Sequence, residues 1–207
     1  MYTCAMCSEH YCKTGELEKL HINCPCNEKE EIERIKELYL QEENSKLAYN
    51  SALVEAEGYC KKTRLEEIMD FASKCDFKKL GVAFCVGLSK EAKILCRVFK
   101  NNGFDVDSVV CKNASIPKEF LKIKDSEKVR PGTYEPMCNP IGQAMFLNNA
   151  KTDLNIILGL CVGHDSLFIK YSNAPVTVFA VKDRVLAHNP IAALYLSDSY
   201  YKNKLYK

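Results

Sequence analysis

Twelve cysteines in 207 residues fall into groups whose spacing bears on chemistry, and the tightest lies at the amino terminus. There the pattern is Cys4-x2-Cys7-x4-Cys12-x11-Cys24-x-Cys26, with His10 and His21 inside it. Two thiols separated by two residues can hold one ion from a single tight turn, and later cysteines can complete a tetrahedron of sulfurs. The spacing predicts a metal site on Cys4, Cys7, Cys12 and Cys24, with Cys26 or His10 as substitutes. Zinc is the expected ion, because a closed four-thiolate site supplies folding free energy to a segment that has no apolar pattern of its own. An iron–sulfur cluster takes the same ligands. The plain alternative is a set of free cysteines in a loose tail.

A second group is spread along the chain: Cys85, Cys111, Cys138 and Cys161. Two of them sit in an internal echo, Val82-Ala83-Phe84-Cys85-Val86-Gly87-Leu88-Ser89 against Leu158-Gly159-Leu160-Cys161-Val162-Gly163-His164-Asp165. Each reads as an apolar strand, Cys-Val-Gly, then a helix start. Glycine permits a tight turn in which backbone N–H groups and the helix N-terminus face the sulfur, favouring thiolate over thiol.

The elements that must position these residues follow from periodicity. Residues 28–43 and a second stretch ending near Gly58 read as helices, and Thr63 with Glu66 has the form of a capping box before a helix over 64–74. From Leu80 apolar runs alternate with helical patterns. Strands are predicted at 80–86, 105–111, 154–161 and 176–182, and helices at 89–101, 139–149, 165–171 and 190–202, with a short one near 117–122. The organisation expected is a cysteine-rich metal knuckle over 1–27, a helical connector over 28–76, and an α/β Rossmann-like domain over 77–207. Alternation implies a small parallel sheet with helices on both faces, and the strand order expected is 2-1-3-4. Ligands of such sheets sit beyond the carboxyl ends of the strands, at the switch point, where Cys85 and Cys161 would end neighbouring strands. Cys111 ends the strand on the far side of Cys85, Cys138 precedes a helix, and His164, Asp165, Lys112 and Asn113 join them. Taken singly, a cysteine at a strand end is a small buried hydrophobe. Four converging on one edge point to a functional cluster. After the last strand, Asp183, Arg184 and His188 are further binding or acid–base candidates, while Asn189 before Pro190 reads as an N-cap. The 123–138 connection is long for a compact domain, and such loops are usually functional.

Composition narrows the function. A net charge of +2, with no run of five like cations, argues against a nucleic-acid partner bound through phosphates. No stretch has the length of a membrane span and Met1-Tyr2-Thr3-Cys4 does not open a leader, so a cytoplasmic protein is expected. In a reducing compartment twelve cysteines favour metal ligation or thiol chemistry over disulfides. Neither a phosphate loop with its lysine nor a Gly-x-Gly-x-x-Gly turn is present.

The stretches Gly81–Gly87, Val110-Cys111-Lys112, Met137-Cys138-Asn139-Pro140-Ile141, Gly159–Asp165 and Lys182-Asp183-Arg184-Val185, with Cys4-Ala5-x-Cys7, resemble a bacterial and archaeal family. That family carries a domain of unknown function described as predicted metal-binding. The resemblance covers nearly the whole chain. It implies metal binding on Cys4, Cys7, Cys12 and Cys24 and importance for Cys111, Cys138 and Cys161.

Three classes of function follow. One is a two-site metalloprotein with structural zinc and an iron–sulfur cluster on Cys111, Cys138 and Cys161, Cys85 being the fourth ligand or an outer neighbour. Another is a thiol enzyme in which Cys161 or Cys85 is the nucleophile and His164 the proton carrier, with Asp165 and His188 beside them. The third is a metal-stabilised sensor or carrier holding a small molecule. Oligomeric state is not legible.

Overall fold

The computed structural model describes residues 1–206, which form two compact units, one over 1–59 and one from Cys60 onward. In the first unit a short helix α1 (Tyr11–Thr14) is followed by α2 (Lys29–Tyr39) and α3 (Glu42–Gly58), which pack on each other. No residue from 1 to 49 is buried. Apolar burial therefore does little to hold the cysteine-rich segment, as its lack of periodicity predicts.

The second unit opens with α4 (Arg64–Lys74). Its start is the predicted capping box: Thr63 Oγ1 accepts from the Glu66 N–H, and the Glu66 carboxylate accepts from the Thr63 N–H. There follow β1 (Lys79–Phe84), α5 (Ser89–Asn101), β2 (Asp105–Val110), α6 (Pro140–Asn149), β3 (Leu154–Leu160), α7 (His164–Tyr171) and β4 (Val176–Val181). The sheet is parallel throughout, in the order β2-β1-β3-β4. Leu80, Val82, Leu154, Ile156 and Leu158 bury one face against α4 and α5 through Ile68, Ala72, Leu95 and Phe99. Ala83 and Ile157 point the other way, onto Ala144 and Leu147 of α6 and Phe168 of α7. Each large apolar side chain so buried stabilises the unit by about 1.5–3 kcal/mol.

The β3–β4 pair carries two register shifts near its carboxyl end, and Gly159 within them has φ +69°. A residue inserted there reverses the alternation. Leu160 joins the α6–α7 face although Leu154, Ile156 and Leu158 lie on the opposite one.

Two differences from the sequence reading are instructive. Strands β1, β2 and β3 stop just short of Cys85, Cys111 and Cys161, so the thiols lie immediately beyond the sheet. The single helix expected over 190–202 is two short ones, α8 (Ile191–Tyr195) and α9 (Lys202–Leu205). The intervening Leu196-Ser197-Asp198-Ser199 is rich in side chains that compete for backbone partners, and the Ser199 hydroxyl donates to the Leu196 carbonyl at 3.3 Å.

Candidate functional site

Three thiols meet at the carboxyl edge of the sheet. Phe84 and Val110 are the last paired residues of β1 and β2, and the next residues continue the ladder: the Cys111 N–H donates to the Phe84 carbonyl at 2.9 Å. Cys85 and Cys111 are therefore side by side, both buried on the α6–α7 face, and their thiols hydrogen-bond. The Val86 N–H donates to Cys111 Sγ at 3.3 Å.

Cys138 reaches the same point from the long loop, and its thiol hydrogen-bonds to Cys111 from the other side. The loop is ordered by polar contacts. Lys128, with its side chain only 5% exposed, pairs with Glu119 and Asp125 and donates to the Thr133 carbonyl, while Lys118 pairs with Glu135. At its far end the Asn139 N–H donates to the Cys111 carbonyl at 2.7 Å. The Asn139 amide donates to Asn113 Oδ1, and the Asn113 amide donates to the Val110 and Asn139 carbonyls. This clamp fixes the backbones of Cys111 and Cys138 together. Asn139 also caps α6 by accepting from the Gly142 N–H. Below it, the buried Gln143 amide donates to the Phe84 and Val109 carbonyls, and its Oε1 is the one buried side-chain oxygen or nitrogen without a partner among the described residues.

The surroundings set the protonation of the three sulfurs apart. The Cys111 hydrogen bond and then His164, with Lys112 nearby, hold Cys138 down at about 4. Cys111, the Gly87 N–H and Lys182 hold Cys85 down at about 5 against the effect of burial. Cys111, facing Cys138 and Cys85 and itself buried, is pushed up and stays a thiol. It has one proton to share between its neighbours. Cys138 has the imidazole as well, and the same contact raises His164. Each partner thus favours the charged form of the other, thiolate on Cys138 and imidazolium on His164.

Cys161 lies at the same edge, with its thiol taking a hydrogen bond from Arg184 Nη2 at 3.3 Å. Arg184 is raised first by Cys161 and also feels Cys85 and Cys138, so three of the four cysteines act on this cation. His164, three residues after Cys161, turns its ring to Cys138 instead. Asp165 accepts from the Ser166 N–H and sits close enough to His164 to favour its charge. His188 is engaged locally: its Nδ1 accepts from the Asp183 N–H at 3.2 Å and lies 3.1 Å from the Val181 carbonyl, fastening the turn after β4. Asn189, read as an N-cap, makes no side-chain cap on α8, whose N-cap position is Pro190.

In the amino-terminal unit Cys4, Cys7, Cys12 and Cys24 line one cavity of about 360 Å³ together with His10 and His21. Cys7 Sγ accepts from the His10 N–H at 3.4 Å. The Cys26 thiol hydrogen-bonds Cys24 and is raised chiefly by it. Four thiols on one cavity match the donor type and number of a tetrahedral thiolate site. Among the described residues, however, no three His, Cys, Asp or Glu side chains stand close enough together to hold an ion.

Sequence reasoning passed over Lys182, Gln143 and the Asn113–Asn139 clamp. Lys182 carries a usable signal, since it follows a strand directly and the strand-end logic applied to the cysteines applies equally to a cation there.

Comparison with known proteins places these features in a family. A protein in Methanocaldococcus jannaschii, the uncharacterized protein MJ0455, is 50% identical over 202 residues, covering 98% of this chain and 97% of its own length. No solved structure matches. The model of a family described as a protein of unknown function, DUF1847, matches residues 23–179, which include the four sheet-edge cysteines and His164. The chain belongs to the DUF1847 family.

Proposed function

We propose that the second unit is a thiol-based reaction centre in which Cys138 is the nucleophile and His164 its proton partner. The observation that carries this reading is the hydrogen bond between them at a sheet edge lined by Lys112, Lys182 and Arg184. A cysteine paired with an imidazolium is thiolate at neutral pH and attacks electrophiles, and the imidazolium can return a proton to the leaving group. Cys111 and Cys85 hold the centre from below, and Cys161 with Arg184 forms its anion-attracting wall. A small ligand with negative charge suits the cations. The test is alkylation of the native protein with limiting iodoacetamide near pH 7, followed by peptide mapping. Cys138 is expected to be modified first, and its label is expected to fall severalfold in His164→Gln. Slow labelling of Cys138, at a rate no greater than that of Cys60, would overturn the reading. So would stoichiometric iron and sulfide lost together with Cys138 in anaerobically purified protein, because these thiols would then belong to a cluster.

For the first unit we propose a structural zinc ion on Cys4, Cys7, Cys12 and Cys24. It is supported by the cavity these four line, with Cys26 serving as a hydrogen-bond neighbour of Cys24. The bound ion would supply the folding free energy that burial does not. Elemental analysis should find one zinc per chain, retained in Cys26→Ser and lost in Cys12→Ser. Protein free of metal after growth with ample zinc contradicts the proposal.

A further inference from the structure

We propose that Cys138 and Cys111 form a dithiol couple that exchanges with small anionic disulfides, Cys138 attacking and Cys111 resolving. The inference rests on the reading above in needing Cys138 to be the reactive thiol, and it adds a substrate class and a second working sulfur.

The two thiols differ in access. Cys138 is half-buried, whereas Cys111 is 2% exposed and cannot meet a disulfide from solution. Yet the two side chains face each other, and their backbones are tied by the Asn139 N–H on the Cys111 carbonyl and by the Asn113–Asn139 amides. A disulfide needs Cα atoms within about 7 Å of each other, and this clamp is what keeps the two main chains side by side. A buried thiol in contact with an accessible one has a single use in exchange: it attacks the mixed disulfide after the outer sulfur has reacted. The cations supply selectivity. Lys112 and His164 act on Cys138 directly and Arg184 reaches it; of the carboxylates nearby, Asp165 stands beside His164 and Asp183 accepts from the Val185 and Leu186 N–H groups of its own turn. Negative groups flanking a substrate S–S bond would be drawn in, and positive ones held off.

The steps balance. The Cys138 thiolate attacks one substrate sulfur, the substrate S–S bond breaks, and the first half leaves as a thiolate. The Cys111 thiol gives up its proton, its sulfur attacks Cys138 Sγ, and the second half leaves and takes that proton. The substrate disulfide gains two electrons and becomes one thiolate and one thiol, and Cys111 and Cys138 lose two and become one disulfide.

The experiment uses the full chain, pre-reduced and free of oxygen, with glutathione disulfide as the anionic probe and cystamine as its cationic counterpart. Products are trapped in acid and read by peptide mapping. Wild type is expected to release both glutathione halves and gain a Cys111–Cys138 bond, with glutathione disulfide reacting at least several times faster than cystamine. Cys111→Ser should stop at a stable glutathione adduct on Cys138. A wild-type protein that keeps the adduct on Cys138 without forming the internal bond overturns the couple while leaving Cys138 as the nucleophile. Faster reaction with cystamine overturns the assigned substrate charge. Absence of any reaction at Cys138, together with failed alkylation there, takes down both readings at once.

Discussion

The two cysteine groups solve the problem of holding thiols together in opposite ways. Cys4, Cys7, Cys12 and Cys24 lie within a short stretch, share a cavity, and belong to a segment with no buried residue up to position 49. Cys85, Cys111, Cys138 and Cys161 are far apart in sequence and are assembled by a parallel sheet whose core includes Phe99, Leu147 and Phe168 at 0% exposure. Sulfurs placed by a core can be given different surroundings, and here one is a buried thiol between two thiolates. Sulfurs placed by proximity in sequence have like surroundings and need a common ligand to order them. The first arrangement suits chemistry and the second suits structure.

The largest expected effect separates the two units. Removal of the proposed zinc by a strong chelator should make the first 27 residues susceptible to proteolysis and shift their amide signals toward random coil. Binding free energies of structural zinc are on the order of 10–16 kcal/mol, so the loss is not a partial one. The melting of the sheet unit should be unchanged; if it collapses as well, the units are not energetically distinct. Next in size is Gly159→Ala. A Cβ there would lie 2.2 Å from Leu88 Cδ1, on a backbone with φ +69°, and 3.6 Å from Lys182 Nζ. Strain and overpacking together should cost about 2–4 kcal/mol in denaturant unfolding of the sheet unit, with zinc content unaltered. A smaller cost is expected from Gln143→Leu. It removes the donors to Phe84 and Val109, the residues before and near Cys85 and Cys111, and should destabilise by about 1–3 kcal/mol. Unchanged stability would mean that the strand ends are held by other means.

Much of this architecture is legible in the sequence because burial writes it there. The four strands, their order and the helices on both faces follow from apolar runs and their alternation, and strand-end logic brings Cys85, Cys111 and Cys161 to one edge. What is not legible depends on contacts without a period. His164 meets Cys138 because a loop held by Lys128, Glu119, Asp125 and the Asn113–Asn139 clamp delivers Cys138 to it, and such pairings leave no pattern in hydrophobicity. Lys182 nears Cys85 beside the irregular end of β3, where Gly159 takes a conformation that composition does not announce. The terminal segment failed as one helix at the Ser–Asp–Ser run, where the Ser199 hydroxyl turns on the Leu196 carbonyl.

Protonation at the sheet edge fixes a pH window. Cys138 is depressed, so its contribution to stability is complete above the ordinary thiol value of about 8.5 and fades as pH falls toward about 4. His164 is raised, so its contribution is complete below about 6.5 and fades as pH climbs through its elevated value. Thiolate and imidazolium coexist between the two folded values. The most direct measurement is the rate of alkylation at Cys138 followed by peptide mapping from pH 5 to pH 9, with Cys60 as the exposed reference. The rate at Cys138 should stay nearly level across neutrality, without the roughly tenfold rise per unit that a thiol of ordinary acidity, about 8.5, would give. A Cys138 profile that climbs in parallel with Cys60 would contradict an activated thiolate at the sheet edge.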